Sequence, residues 1–117
     1  MIVELVTFKT PDGWDRARVL DDAKHTIAKW RANRDLVRKH FALGLGEEEG
    51  TSAGIYVWIS VEAAKKAHDE EWRQGVKART GGYPTSRYFD FFLLIDNEQQ
   101  RVVEWAADGA ASELGTA

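Results

Sequence analysis

The stretch "GIYVWISVEAAKKAHDEEW", residues 54–72, changes its apolar period from two to three or four within a few positions. Alternation through residues 54–59 marks a strand, and the stripe Ala64, Ala67, His68, Glu71 and Trp72 marks one face of a helix. Ser60 between them is a good N-cap, and Glu62 suits the first turn of the helix. A strand that feeds straight into a helix is half of a βαβ unit, and the same order occurs once before. Residues 2–9 are β-branched and apolar and read as a first strand, ended by "TPDG" at 10–13. From Trp14 the recurrence of Leu20, Ala23, Ile27 and Trp30 predicts a helix that stops near Asn33.

Residues 36–43 predict a second strand, "GLGEEEG" at 44–50 a hairpin connection, and residues 53–59 a third strand. After the second helix, with a bend expected at Gly75 and a loop at "GGYP", the run "SRYFDFFLLID" at 86–96 predicts the fourth strand. "RVVEW" at 101–105 reads as a short fifth strand or an arm. Strand, helix, strand, strand, helix, strand is the split βαβ order of an α+β, ferredoxin-like fold. It places two helices on one face of a four-stranded antiparallel sheet. Residues 1–105 form this domain, and the small, polar residues 106–117 are expected to be a flexible tail. The sheet's second face is also apolar and needs cover, so a homodimer is expected.

Bulk properties remove several classes of function. A chain of 117 residues is one domain, and a net charge of −3 gives no basic field for nucleic acid or an anionic membrane. Without cysteine there is no disulfide, thiol nucleophile or thiolate metal site. No apolar run is long enough to span a bilayer, and "MIVELVTFK" lacks the basic start of a signal peptide, so a cytoplasmic location is expected. "GLGEEEG" has no lysine to hold phosphate. "DDAKH" offers too few ligands for a metal, and none is expected. The basic run "KWRANRDLVRKH" carries no nucleic-acid motif. What stands out is five tryptophans in so short a chain, which favours an aromatic pocket or a subunit seam.

Period-two alternation divides each strand into two faces. Ile55, Val57 and Ile59 form an aliphatic set opposed by Tyr56 and Trp58. If the aliphatic sets meet the helices, the other face gathers Glu4, Arg38, His40, Tyr56, Trp58, Tyr88, Asp90 and Phe92. Buried charge needs a partner, so Arg38 is expected to pair with Asp90 or Glu4. His40 or Asp90 would be the general base and Arg38 would stabilise developing negative charge. His68, on the helix stripe, is a further candidate. Tyr56, Trp58, Trp72, Tyr88 and Phe92 would wall a pocket for a small aromatic molecule.

These segments resemble those of a known family. "MIVELVTFK" as opening strand, "KWRANRDLVRKHF" leading into the second strand, "GIYVWISVEAAKKAHDEEW" and the closing "YFDFFLLIDN" are similar to the dimeric α+β barrel proteins. The likeness is to the antibiotic-biosynthesis-monooxygenase-like branch and covers residues 1–105. It implies two ferredoxin-like subunits packed sheet to sheet, each with a cavity between sheet and helices. Members of the branch oxidise aromatic polyketides such as anthrones or quinols with O2 and no metal or flavin, so no cofactor is expected. Related members degrade haem with an asparagine on the first strand, a tryptophan, and a histidine on the second helix. His68 falls where that histidine would lie, and Trp58 or Trp72 would supply the tryptophan; the first strand, however, has no asparagine. Other relatives are polyketide cyclases that use a histidine and a tyrosine. The resemblance thus implies a cofactor-independent monooxygenase for a small aromatic or polyketide-like substrate. A cyclase or isomerase, or a ligand-binding dimer without turnover, is the alternative.

Overall fold

The computed structural model describes residues 1–115, so the last two residues of the expected tail lie outside it. Strands β1 (Ile2–Lys9), β2 (Leu36–Leu43), β3 (Thr51–Trp58) and β4 (Thr85–Asp90) form one sheet in the order β2-β3-β1-β4, all pairs antiparallel. This is the ferredoxin-like α+β sheet that the element order implies. The β2–β3 link is a single 3-10 turn, Gly46–Glu48. No helix is long and apolar enough, among the described residues, to cross a membrane.

Each of the two expected helices is a pair. The first connection holds α1 (Arg16–Lys24) and α2 (Ile27–Ala32), the second α3 (Val61–Ala67) and α4 (Glu70–Thr80). Ser60 caps α3 by accepting from the Ala63 N–H at 3.1 Å. The second helix breaks at His68–Asp69 and runs unbroken through Gly75. Asp69 accepts from the Trp72 N–H at 2.9 Å and so starts α4 afresh, a competition that a short acidic side chain readily wins. Gly81, with φ 87°, supplies the left-handed residue that ends α4.

The expected fourth strand also divides. β4 stops at Asp90, and β5 (Leu93–Asp96), β6 (Arg101–Trp105) and β7 (Ala111–Leu114) make a separate three-stranded antiparallel sheet. "RVVEW" is therefore the centre of an arm, and residues 111–114 of the expected tail are its outer strand. The arm draws the molecule out to 48 × 30 × 27 Å and gives a radius of gyration of 15.9 Å. A compact chain of this length has roughly 13 Å.

The largest correction concerns the faces of the main sheet. The aliphatic sets do not meet the helices. Glu4, Val6, Tyr56 and Trp58 do, packing with Trp30 of α2 and Ala63 and Ala64 of α3. The small alanines on α3 leave the depth that two large rings need. The other face carries Val3, Leu5, Ile55, Val57 and Phe89, which stand opposite one another across β1, β3 and β4, with Phe89 48% exposed. A register shift between Leu36 and Arg38 adds a second correction. The bulge sets Arg38 opposite Val57 and His40 opposite Ile55, so both lie on the aliphatic face. Lys39, opposite Tyr56, takes the inner position.

Candidate functional site

Glu4 is fully buried in the middle of β1, where an unpaired carboxylate would be prohibitive. Two N–H donors meet it. Trp58 Nε1 donates to Oε1 at 2.9 Å, and His68 Nδ1 lies 2.8 Å from Oε1 and 3.0 Å from Oε2. A carboxylate only accepts, so Nδ1 presents an N–H to Glu4 and Nε2 is the ring nitrogen turned away from it. Strand register explains the first contact, since Glu4 and Tyr56 are direct partners and Trp58 is two residues on along β3. The helix break explains the second. His68 is the C-cap of α3 with φ −107° and ψ 58°, and at that turn its side chain reaches the strand.

His68 Nε2 is buried and has no hydrogen-bond partner. Four rings enclose the imidazole. Tyr56 meets it edge-on with centroids 4.6 Å apart, Trp72 covers it at 4.0 Å and 31°, and Trp30 and Trp58 stand at 5.6 and 5.8 Å. Trp30, Tyr56 and Trp58 are buried; Trp72 is only partly so and forms the outer cover. Gly54 makes room for Tyr56, because a Cβ there would sit 2.7 Å from the Tyr56 ring. Burial, reinforced by the Glu4 charge, pushes the Tyr56 hydroxyl far above the ordinary phenol range, so it stays a neutral O–H. Tyr88, opposite Glu4 on β4, is raised for the same two reasons in the same order.

Of the residues expected to act, His68, Tyr56, Trp58, Trp72 and Tyr88 come together in this cluster. His40 and Arg38 do not: both are exposed on edge strand β2 at aliphatic-face register positions, with Arg38 also bordering the cleft beside α2. Asp90 is exposed at the end of β4, and Phe92, 67% exposed, lies in the link to β5. The ion pair expected between Arg38 and Asp90 or Glu4 does not form, because the bulge has turned Arg38 away. The alternation counted β2 without the bulge, so the sequence reading passed over Lys39. It also passed over Trp30, which it saw only as a helix-stripe residue. Glu4 was legible as a lone acid inside an apolar run. Among the described residues, no group of three or more His, Cys, Asp or Glu could hold a metal ion.

Two open clefts lie beside the cluster. One of about 430 Å³ runs along the α2–β2 turn and α3, past Asn33, Asp35, Ala63 and Lys66. The other, of about 370 Å³, lies between α2 and β2. Neither is lined by Glu4 or His68; the second meets the cluster at Trp30, Leu36 and Lys39.

The split βαβ sheet, with both helix pairs on one face, is a ferredoxin-like α+β fold. No family model and no curated protein matches the chain, but solved structures do. A candidate antibiotic biosynthesis monooxygenase from Bordetella bronchiseptica superposes with a TM-score of 0.61 at 15% identity, covering 79% of this chain and 97% of that one. A monooxygenase from the gene ActVA-Orf6 of Streptomyces coelicolor, in complex with Nanaomycin D, gives 0.60 at 15% identity, over 80% and 89%. A candidate antibiotic biosynthesis monooxygenase from Deinococcus radiodurans gives 0.55 at 11%, over 82% and 97%. The chain has the fold of the antibiotic-biosynthesis-monooxygenase-like α+β barrel proteins.

Proposed function

We propose that the chain is a cofactor-independent monooxygenase for a small aromatic or polyketide-like substrate, working in the cytoplasm as a homodimer, with Glu4 and His68 as its base. The observation that carries the reading is His68 Nε2, a buried ring nitrogen that no protein group hydrogen-bonds; in the proposed reaction it takes up the substrate proton. Buried polar atoms without a partner are rare, and chemistry is one of the few reasons to keep one. Glu4 fixes the tautomer and balances the imidazolium that forms when Nε2 takes a proton. The surrounding rings keep water from the anion that remains on the substrate. That carbanion gives one electron to O2, and the radical pair combines to a peroxide anion, which takes the proton back from the His68 imidazolium to become a hydroperoxide. Loss of water then leaves a carbonyl at the same carbon. The substrate supplies all the electrons, one oxygen atom stays in the product and the other leaves as water. Trp72, the partly buried cover, is the side chain that must swing aside to admit the substrate. A monooxygenase of the same fold bound to Nanaomycin D supports this substrate class, and an aliphatic sheet face that leaves Phe89 48% exposed supports the dimer.

Oxygen consumption with anthrone and hydroquinone as probes tests the reading. We expect uptake in the native protein and in His40→Ala, and its loss in His68→Ala. No uptake, or equal uptake in His68→Ala, overturns the assignment. One observation favours a second reading, a ligand-binding dimer without turnover: neither cleft reaches His68. That protein would be stabilised against heat by an aromatic ligand and would consume no oxygen.

A further inference from the structure

The cleft between α2 and the edge strand β2 has aromatic walls and more positive charge than its surroundings neutralise. Trp30 and Phe41 line it together with Arg31, Arg38 and Lys39. The bulge in β2 turns Lys39 inward, where its Nζ stands 3.5 Å from the Phe41 ring centroid, 4.5 Å from Tyr56 and 4.6 Å from Trp30. Ring faces attract an ammonium but satisfy none of its three N–H groups as an oxygen would. Among the described residues no carboxylate lies within ion-pair distance of Lys39, Arg31 or Arg38. The groups around Lys39 repeat the pattern. Lys29 of α2 and Arg79 of α4 add positive charge. Glu4 of β1 is the one acid acting on it and is already taken by Trp58 and His68, and Tyr56 of β3 is a neutral hydroxyl.

We propose that this cleft binds a flat aromatic anion, a carboxylate or a phenolate, its ring along the α2–β2 walls and its charged end on Lys39 as the counter-charge. The site stands whether or not His68 performs chemistry. If it does, the substrate is narrowed to an acidic aromatic molecule whose charged end points toward β2.

A second property gives the proposal a signature that packing alone would not produce. Burial first, and then Lys29 and Arg79, lower the Lys39 amine to about 7. Above that pH the empty site holds a neutral amine, and an arriving anion restores the advantage of the charged form. Binding at mildly alkaline pH therefore takes up a proton, whereas Arg31 and Arg38 stay charged throughout and contribute no uptake.

The test is calorimetry on the full chain with 2-naphthoate, and with the neutral 2-naphthamide as control. It is run at about pH 6 and about pH 8.5 in buffers of different ionisation heat. We expect naphthoate to bind about tenfold more tightly than naphthamide at the lower pH. At the higher pH its binding should take up most of a proton. Lys39→Met loses the uptake and most of the preference; Lys39→Arg keeps the preference and loses the uptake. Equal binding of the two probes, no binding of either, absence of proton uptake in the native chain, or uptake that survives in Lys39→Met overturns the proposal.

Discussion

Replacing Glu4 by leucine keeps the side chain's bulk and removes the only acceptor for two buried donors. Trp58 Nε1 and His68 Nδ1, at 2.9 and 2.8 Å from Oε1, would both be left facing an apolar group. A buried donor left without a partner costs about 1–3 kcal/mol, so Glu4→Leu should lose about 4 kcal/mol. For a domain of this size that is about 15 °C in Tm. His68→Leu leaves the carboxylate buried with one donor fewer, and breaking such a pair costs about 3–5 kcal/mol. The double variant removes the acid and the imidazole together, so it should be less destabilised than the sum of the singles by about 1–3 kcal/mol. Urea unfolding followed by tryptophan fluorescence measures all four proteins. One chain concentration must be used throughout, because the midpoint of an oligomer moves with concentration. A loss below about 1 kcal/mol for Glu4→Leu refutes the account, as do single-variant losses that add to within about 0.5 kcal/mol. Either result would mean that the carboxylate is not the partner of His68 in solution.

Phe89→Lys puts a charge on the aliphatic face, on edge strand β4 opposite Val3. Sedimentation should show a dimer for the native chain and a monomer for the variant, and a native monomer at micromolar concentration refutes the seam. Gly54→Ala drives a methyl group to 2.7 Å from the Tyr56 ring. Overpacking of that kind costs about 1–3 kcal/mol in unfolding free energy. The same substitution in a Tyr56→Leu background should be nearly neutral, and an equal cost in both backgrounds shows that the ring does not lie over Gly54.

The strand and helix order was legible because each change of period is a local property of the chain. Residues 2–9 and 36–43 run as the pattern implies. The breaks were less legible. Asp69 competes for the backbone of a helix whose apolar stripe continues past it, and a stripe does not record such a competition. The bulge near Arg38 is harder still, since one extra residue reverses every later side chain of a strand while its composition stays the same. That single residue removed His40 and Arg38 from the aromatic cluster and put Lys39 there.

The inversion of the two faces has a common physical origin with the site itself. Alternation separates two sets of side chains but does not say which set the helices cover, and hydrophobicity alone favours the aliphatic one. Volume and hydrogen bonding favour the other. Tyr56 and Trp58 are large enough to fill the space under α3, whose Ala63 and Ala64 contribute almost no bulk. Trp58 also carries an N–H that a sheet–sheet seam of Val3, Leu5 and Ile55 could not satisfy. Glu4 supplies the acceptor, and a buried acceptor with room for a second donor draws in His68 from the helix break. The acid is therefore both the condition for burying the tryptophan and the means of orienting the imidazole. Leucine at position 4 should disorder His68 along with Trp58, and a core built to satisfy one indole has in the same step built a base.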